Sequence, residues 1–345
     1  MQNKEEIKLF AEFSNKLGNR IDYVQGGGGN TSFKVNDKTM LIKASGYYLN
    51  QVTENDGFAI LDYPKIQEFF YQSGIDELED IEAAGSAIVK NSILKVDNLP
   101  ELRPSVESGF HSILGRWVAH THSVYTNIIL CSSTAEELLE KIFSDYAYIY
   151  IPYVNPGSRL TYEIYKSMQE FEKKQNKKPD VIFLQNHGII VHADDMQVCF
   201  DLHEEINQLI CQYFSIDSKK YPDVKIEEIN ENTYVSNTEY LVNSLKDGEY
   251  STELLLENPL YPDQIVYLRD VLGETALIDK QTGKLTYKMP YKQAILLEEA
   301  LTAIIFIMNN IKENQLKVQF MHDSEQDFIK NWESEKYRKE LSRKE

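Results

Sequence analysis

The stretch from Trp117 to Ser123 most constrains the fold, because it is a short apolar run that ends in two histidines. On a β-strand, side chains at positions i and i+2 point to the same face. A strand here presents His120 and His122 side by side, in a geometry that can chelate a transition metal. Two ligands rarely hold a catalytic metal, so the rest of the chain has to supply a third one.

A third imidazole follows another predicted strand. Residues 181–184 are all apolar and predict a short buried strand, which leads directly into Asn186, His187 and Gly188. Three imidazoles with one open coordination position are a common arrangement around catalytic zinc. The spacing alone leaves a second interpretation open, in which the three histidines are ordinary packed side chains.

The most glycine-dense segment of the chain runs from Gln25 to Ser32 and contains four consecutive glycines. It has neither the lysine of a P-loop nor the spacing of a dinucleotide fingerprint. Free backbone amides and small polar side chains can instead form a neutral phosphate nest. Ordering four glycines is costly in entropy, which favours a binding function over a flexible hairpin loop. The predicted nest comprises Gly29, Asn30, Thr31, Ser45, Gly46 and Ser105.

A carboxylate precedes the histidine pair on a predicted helix that begins near Ser105, a plausible N-cap. Glu107 and His111 are four residues apart and share a face of that helix. A carboxylate near a metal can be a ligand or a general base. The spacing alone favours an ordinary exposed Glu107 and a His111 that packs between Phe110 and Leu114.

Composition narrows the classes of partner. The 36 basic and 54 acidic residues give a net charge of −18, which argues against a general nucleic-acid binder. We expect that no apolar run approaches a membrane span, and the polar N-terminus is unlike a signal peptide. The three unevenly spaced cysteines predict reduced thiols and a cytoplasmic protein.

The composition of the chain changes near residue 217, where Lys and Glu become more frequent and the hydrophobic periodicity weakens. Before that point, predicted strands and helices alternate, and the residues around 33–43 predict a β-hairpin. After it, apolar segments at 265–268 and 295–301 predict a small α/β unit. We therefore predict a metal-binding catalytic domain at 1–216 and a C-terminal α/β extension of open role at 217–345.

Taken together, these residues resemble the class II aldolase/adducin family. The motifs occur in the family's order and cover about residues 5–215. The C-terminal segments Tyr261–Leu268 and Trp332–Arg338 look similar to the tail of the aldolase module in rhamnulose-1-phosphate aldolase/dehydrogenase fusions. The motifs are Gly28-Gly29-Asn30-Thr31-Ser32, Ala44-Ser45-Gly46, Pro104-Ser105-Val106-Glu107 with Phe110-His111, His120-Thr121-His122 and Gln185-Asn186-His187-Gly188.

The resemblance implies an α/β fold with three α/β/α layers around a largely antiparallel sheet, here with the small C-terminal extension. It implies a Zn²⁺ or another divalent metal on His120, His122 and His187, with Glu107 as the catalytic acid/base. It also implies a substrate phosphate against Gly29, Asn30, Ser45, Gly46 and Ser105. The family usually assembles its site between the subunits of a homotetramer.

The implied activity is that of a metal-dependent lyase, an aldolase that cleaves a ketose 1-phosphate to dihydroxyacetone phosphate and an aldehyde. Val106 stands where some aldolases have a second serine, which removes one hydroxyl that contacts phosphate. Glu107 favours C–C cleavage, because the related pentulose-phosphate 4-epimerases typically carry Asp there. Sugar-acid decarboxylases use the same metal site and remain an alternative. A non-catalytic adducin-like scaffold is the alternative of another class, although its members lose the metal histidines.

Overall fold

The computed structural model describes residues 4–72 and 74–331. The predicted similarity at Trp332–Arg338 and the charged segment from Glu333 to Glu345 lie outside the described residues. The helices, in chain order, are α1 (Lys4–Gly18), α2 (Tyr63–Tyr71), α3 (Ile81–Asn91), α4 (Ser108–Ile113), α5 (Val124–Leu130), α6 (Ala135–Phe143), α7 (Ser158–Gln175), α8 (Met196–Tyr213), α9 (Glu239–Leu245), α10 (Thr252–Glu257), α11 (Pro262–Leu268), α12 (Tyr291–Glu313) and α13 (Asp323–Asn331).

Short 3₁₀ turns occur at Leu49–Gln51, Ile75–Glu77, Ser218–Lys220 and Lys246–Gly248. The strands are β1 (Asn30–Lys34), β2 (Thr39–Lys43), β3 (Phe58–Asp62), β4 (Trp117–Thr121), β5 (Tyr148–Ile151), β6 (Val181–Leu184), β7 (Gly188–Ala193), β8 (Ile226–Asn230), β9 (Thr233–Ser236), β10 (Ala276–Ile278) and β11 (Leu285–Lys288).

The chain divides into two compact units, and the first comprises the described parts of Met1–His122 and Phe143–Asn207. Its seven strands form one sheet in the order β3-β2-β1-β4-β7-β6-β5. All neighbouring pairs are antiparallel except β5 with β6. The predicted hairpin at 33–43 is confirmed as β1 and β2. Strand β4 occupies the centre of the sheet, with three strands on either side.

Helices cover both faces of this sheet, because successive side chains point to opposite faces and nearly every position of the central strands is buried. On one face, α2, α3, α4 and α7 contribute to a continuous apolar core that includes Met40, Val118 and Ile190 from three strands. On the other face, Phe13 of α1 packs edge-on against Trp117 of β4 at 5.3 Å between ring centroids. The three-layer α/β/α fold with a largely antiparallel sheet is therefore confirmed.

The second unit comprises the described parts of Ser123–Ile142 and Gln208–Glu345. It contains a four-stranded antiparallel sheet in the order β10-β11-β9-β8. Helix α12 contributes a long run of buried apolar side chains to its interior, and the buried carboxylate of Glu298 accepts a hydrogen bond from Ser236 Oγ at 2.6 Å. The small α/β character predicted for the C-terminal part is thus present in this unit.

The units do not follow a single cut in the sequence, because Ser123–Ile142 clusters with the C-terminal part rather than with the residues around it. The reason is that α5, within this segment, packs against α12. A boundary at residue 216 stays a prediction of where the catalytic domain ends in the sequence.

Helix α12 differs from expectation in one further respect. Among the described residues it is long and apolar enough, with a mean hydropathy of 1.6, to match the length and composition of a membrane span. The prediction that no run approaches such a span was wrong for Tyr291–Glu313. The apolar window is 83% buried within the protein, as is typical of a core helix.

Candidate metal centre

The centre of the sheet brings three imidazoles together at one end of β4. His120 is the fourth residue of β4, His122 follows the strand directly, and His187 lies in the turn between β6 and β7. Their possible ligand atoms all lie within 4.8 Å of one another, and all three side chains are buried. The structure therefore brings His187 together with His120 and His122, as the sequence predicted.

Backbone contacts explain how two separate segments deliver these side chains to one point. Strand β4 pairs with β7 in antiparallel register, with Thr121 opposite Ile189. At Gly188 a Cβ atom would lie 2.2 Å from the carbonyl oxygen of Thr121, so only glycine permits this approach. Asn186 adopts a positive φ of 50°, which turns the chain sharply enough to place His187 beside β4.

The protonation pattern of His120 suits a metal ligand. Its Nδ1 lies 3.0 Å from the carbonyl oxygen of Ile189, an acceptor, so Nδ1 carries the proton. Its Nε2 is then unprotonated and lies 3.3 Å from His122 Nε2. Burial lowers the pKa of His120 to about 3, so the imidazole is neutral at physiological pH. A neutral imidazole whose second nitrogen donates to a carbonyl is the usual form of a metal-binding histidine.

Glu107 lies against the same cluster and is the N-cap residue of α4, so the helix starts at Ser108 rather than near Ser105. Its Oε2 is 3.5 Å from His120 Nε2, and its Oε1 is 3.3 Å from His187 Nε2. Burial acts to raise the pKa of Glu107, but the imidazoles, His120 first, hold it well below its usual value. The expectation from spacing alone, an ordinary exposed Glu107, was wrong, because only 5% of the residue is exposed.

Asn30 links the glycine loop to Glu107. Strand β1 pairs with β4 so that Asn30 lies opposite His120. Asn30 Nδ2 donates to Glu107 Oε2 at 2.6 Å and to Ser105 Oγ at 3.2 Å. Ser105 Oγ also accepts the backbone N–H of Glu107 at 3.3 Å. Asn30 and Ser105 therefore lie where the sequence predicted them, next to the catalytic carboxylate.

The other predicted phosphate-binding residues approach from β1 and β2. A Cβ at Gly29, whose φ is +62°, would lie 2.7 Å from the His120 carbonyl oxygen. The end of the glycine loop therefore lies directly against the backbone of β4. The backbone N–H of Ser45 donates to the backbone carbonyl oxygen of Arg103 at 2.8 Å, and Gly46 is the next residue. The bridge between Ala44 and Pro104 thus brings Ser45 and Gly46 next to the segment that holds Ser105.

Thr31 is the exception and corrects the predicted set. Side chains alternate along β1, so Thr31 points to the face opposite Asn30. Its hydroxyl lies 2.7 Å from Ser14 Oγ of α1, and the residue has no exposed surface. The Thr31 side chain is therefore not in the nest. The catalytic and phosphate-binding roles of the remaining residues stay predictions.

Other buried polar side chains next to the site have contacts that the sequence did not predict. Lys43 is 3% exposed, and its Nζ donates to the carbonyl oxygens of Gly27 at 2.8 Å and Gly29 at 3.1 Å, which fastens the glycine loop. His111 contacts both Asn30 Oδ1 and Ser32 Oγ, the latter at 2.7 Å, and is fully buried. The sequence signals for His111 were its four-residue spacing from Glu107 and its place in the Phe110-His111 motif. His203 of α8 is also buried and contacts Thr121 Oγ1 at 2.8 Å.

Comparisons with known proteins identify the family. The sequence profile described as "Class II Aldolase and Adducin N-terminal domain" matches residues 8–214. No curated protein sequence matches the chain.

Several solved structures are similar in fold. The N-terminal class II aldolase domain of a conserved protein from Thermoplasma acidophilum is 22% identical, with a TM-score of 0.49 over 59% of this chain and 91% of that one. An L-fuculose 1-phosphate aldolase is 19% identical, with a TM-score of 0.41 over 64% and 87% of the two chains. An aldolase II superfamily protein from Pseudomonas syringae is 16% identical, with a TM-score of 0.43 over 62% and 75%.

Proposed function

Because the chain belongs to the class II aldolase and adducin N-terminal domain family, we propose that it is a metal-dependent lyase that cleaves a ketose 1-phosphate to dihydroxyacetone phosphate and an aldehyde. The observation that carries the proposal is the convergence of three buried imidazoles on the carboxylate of Glu107. An adducin-like scaffold has no use for this arrangement, since burying a carboxylate is costly without a compensating role or partner.

The donor set fits a divalent metal. Three imidazole nitrogens with a fourth position left open match the ligand set of catalytic zinc, and the ligand atoms lie within 4.8 Å of one another. His120, His122 and His187 would hold the ion. When bound, a divalent metal supplies Lewis-acid polarisation of the substrate's carbonyl and hydroxyl oxygens. We propose Zn²⁺ as the native metal.

Glu107 would perform the proton transfer. Its carboxylate has a depressed pKa and is ionised at neutral pH, so it can remove a proton from the carbon next to the dihydroxyacetone phosphate carbonyl in the synthetic direction. In cleavage the same group returns a proton to that carbon. Its 5% exposure keeps bulk water from competing for the proton.

The substrate phosphate would lie between the glycine loop and the segments around Ser45 and Ser105. The Ser105 hydroxyl accepts two hydrogen bonds, from Asn30 and from the Glu107 backbone, and neither uses its own proton. That proton can be donated to a phosphate oxygen. Gly29, Ser45 and Gly46 would contribute from the facing segments.

We propose that the protein acts in the cytoplasm as a homo-oligomer, a tetramer by its similarity to the family, without a nucleic-acid or membrane partner. The three cysteines are free and buried, which suits a reducing compartment. Sedimentation of the purified protein tests the assembly, and a monomer at micromolar concentration would contradict it.

The central experiment combines metal analysis with a screen of ketose 1-phosphates, using release of dihydroxyacetone phosphate as the readout. We expect about one metal ion per chain and loss of activity in His122→Ala. His322→Ala, which changes an exposed histidine in the second unit, is the matched control and should retain both. Protein without metal would refute the enzyme. Bound metal with 4-epimerisation of a pentulose phosphate, or decarboxylation of a sugar acid, would replace the aldolase with one of those alternatives.

A further inference from the structure

We propose that Ser32, His111 and Asn30 are positioning residues, which form a directed hydrogen-bond chain that fixes Glu107 Oε2 and leaves Oε1 to transfer the proton. The inference rests on the proposed function and deepens it. It gives Asn30 a role in supporting the acid/base, beside the phosphate contact that the resemblance implies.

The direction of the chain follows from the chemistry of its end. A carboxylate can only accept, so the Asn30 side chain has to present its NH₂ group to Glu107 Oε2, which lies 2.6 Å away. Asn30 Oδ1 then faces His111 Nε2 and accepts from it. His111 Nδ1 is left as an acceptor, and the Ser32 hydroxyl, at 2.7 Å, donates to it. Each orientation is forced by the next partner along the chain.

The Asn30 amide has one proton that is not committed to Glu107. One of its two amide protons bonds Glu107 Oε2, and Ser105 Oγ lies 3.2 Å from the same nitrogen. Its oxygen accepts from His111. The second amide proton can turn from Ser105 to a phosphate oxygen while the bond to Glu107 is kept.

Burial makes this chain effective. Ser32 and His111 have no exposed surface, Asn30 is 4% exposed and Glu107 is 5% exposed. Water cannot replace a lost partner here, so each broken bond leaves an unsatisfied polar group at a cost of about 1–3 kcal/mol. Glu107 Oε1, in contrast, has no hydrogen-bond partner among the described residues and lies 3.3 Å from His187 Nε2. The two carboxylate oxygens thus have separate tasks.

The first test needs no activity. In ¹⁵N-histidine NMR of the metal-free and zinc-loaded protein, His111 should carry its proton on Nε2. In Ser32→Ala, Nδ1 loses its donor, and its ¹⁵N resonance should shift towards that of a nitrogen without a hydrogen bond. A proton on Nδ1 in the wild type would reverse the chain and overturn the proposal, whatever reaction the protein catalyses.

The second test separates positioning from phosphate binding. His111→Phe keeps the ring that stacks on Phe110, with centroids 4.7 Å apart, and removes both nitrogens. We expect solvent proton exchange into dihydroxyacetone phosphate to lose about 10- to 100-fold in kcat, the range of outer-shell partners, with KM and zinc content retained. In an Asn30→Ala background, His111→Phe should cause no further loss, because both residues act through one chain.

Ser14→Ala is the matched control, since it removes a buried hydroxyl bonded to β1 from the opposite face. It should leave the exchange rate unchanged. Additive losses from Asn30→Ala and His111→Phe would overturn the chain, and so would an Asn30→Ala variant with intact kcat. Absence of exchange in the zinc-loaded wild type would instead count against the proposed function, and the NMR result would still decide the chain.

Discussion

The carboxylate of Glu107 spans the imidazoles of His120 and His187, with Oε2 3.5 Å from the first and Oε1 3.3 Å from the second. His120 lies on β4, His187 lies in the turn between β6 and β7, and Glu107 lies at the start of a helix. The Glu107 carboxylate thus contacts two of the three candidate metal ligands. Changes at Glu107 and changes at the histidines should therefore have separable effects.

Glu107→Gln keeps the size of the side chain and removes its capacity to take a proton. We expect dihydroxyacetone phosphate exchange to fall by about 10²- to 10⁴-fold, the usual contribution of a general base. Zinc content should be retained, because the three imidazoles are unchanged. Exchange measured by proton NMR in D₂O, beside metal analysis of the same sample, tests this. Exchange at the wild-type rate would remove Glu107 from the acid/base role.

Removal of the metal should lower stability. A ligand that binds only the folded state stabilises it by about 4 kcal/mol at a free concentration of 1,000 Kd. Thermal unfolding with zinc and then with a chelator should show this difference for the wild type. His187→Ala should abolish it, while the exposed His322→Ala should keep it. Equal melting temperatures with and without zinc in the wild type would contradict the metal site.

Gly29→Ala should damage the centre through the backbone of β4. The new Cβ would lie 2.7 Å from the His120 carbonyl oxygen, at a φ of +62°. We expect a loss of about 1–3 kcal/mol in the free energy of unfolding, together with weaker zinc binding. Gly248→Ala is the control, because its φ is +76° but nothing lies within 4 Å of its Cβ. Equal effects of the two variants on zinc affinity would show that contact with β4 is unimportant.

Lys34 should give the protein a pH-dependent stability. Its Nζ donates to the carbonyl oxygen of Gly115 at 3.0 Å and to that of Leu114, at the C-terminal end of α4. Burial lowers its pKa from 10.5 to about 7, with a smaller opposing effect from Asp194 and a further lowering by Lys178. A buried amine with a depressed pKa destabilises the fold most when both the folded and the unfolded chain are protonated.

The sign follows from proton counting. Below about pH 7 both states hold the proton, whereas above pH 7 only the unfolded chain keeps it, until pH 10.5. In this window the free energy of unfolding of the wild type should therefore rise, relative to that of Lys34→Met, by roughly 1.4 kcal/mol per pH unit. Urea unfolding of both proteins at pH 6, 7, 8 and 9 measures the difference. Parallel stability curves would show that Lys34 does not titrate there.

The strand pattern allowed much of the centre to be predicted. A two-residue period fixes which side chains share a face, so His120 and His122 could be paired from sequence alone. His187 could be added because a short apolar strand precedes it. The same alternation, applied to β1, would have separated Asn30 from Thr31. The preceding glycines hide the start of the strand in the sequence, since β1 starts directly after them at Asn30.

Long-range partners could not be predicted. Local sequence predicts a packing role for His111, and its contacts to Asn30 and Ser32 span about 80 residues. Lysines on a strand are usually exposed to solvent, yet Lys34 and Lys43 are both buried. The carbonyl oxygens that accept their protons lie on other segments of the chain, so local sequence does not reveal them. The clustering of Ser123–Ile142 with the C-terminal part has the same origin, since it depends on packing with α12.

The central place of β4 in the sheet has a consequence for how the site loads. His120 belongs to strand β4, which is hydrogen-bonded to β1 on one side and to β7 on the other. These two ladders fix the backbone of His120 without a metal ion. His187 belongs to the turn at 185–187, which lies between β6 and β7 and outside both ladders. We therefore expect a metal ion to bind at His120 first and at His187 last. We also expect the turn at 185–187 to limit the rate of metal exchange.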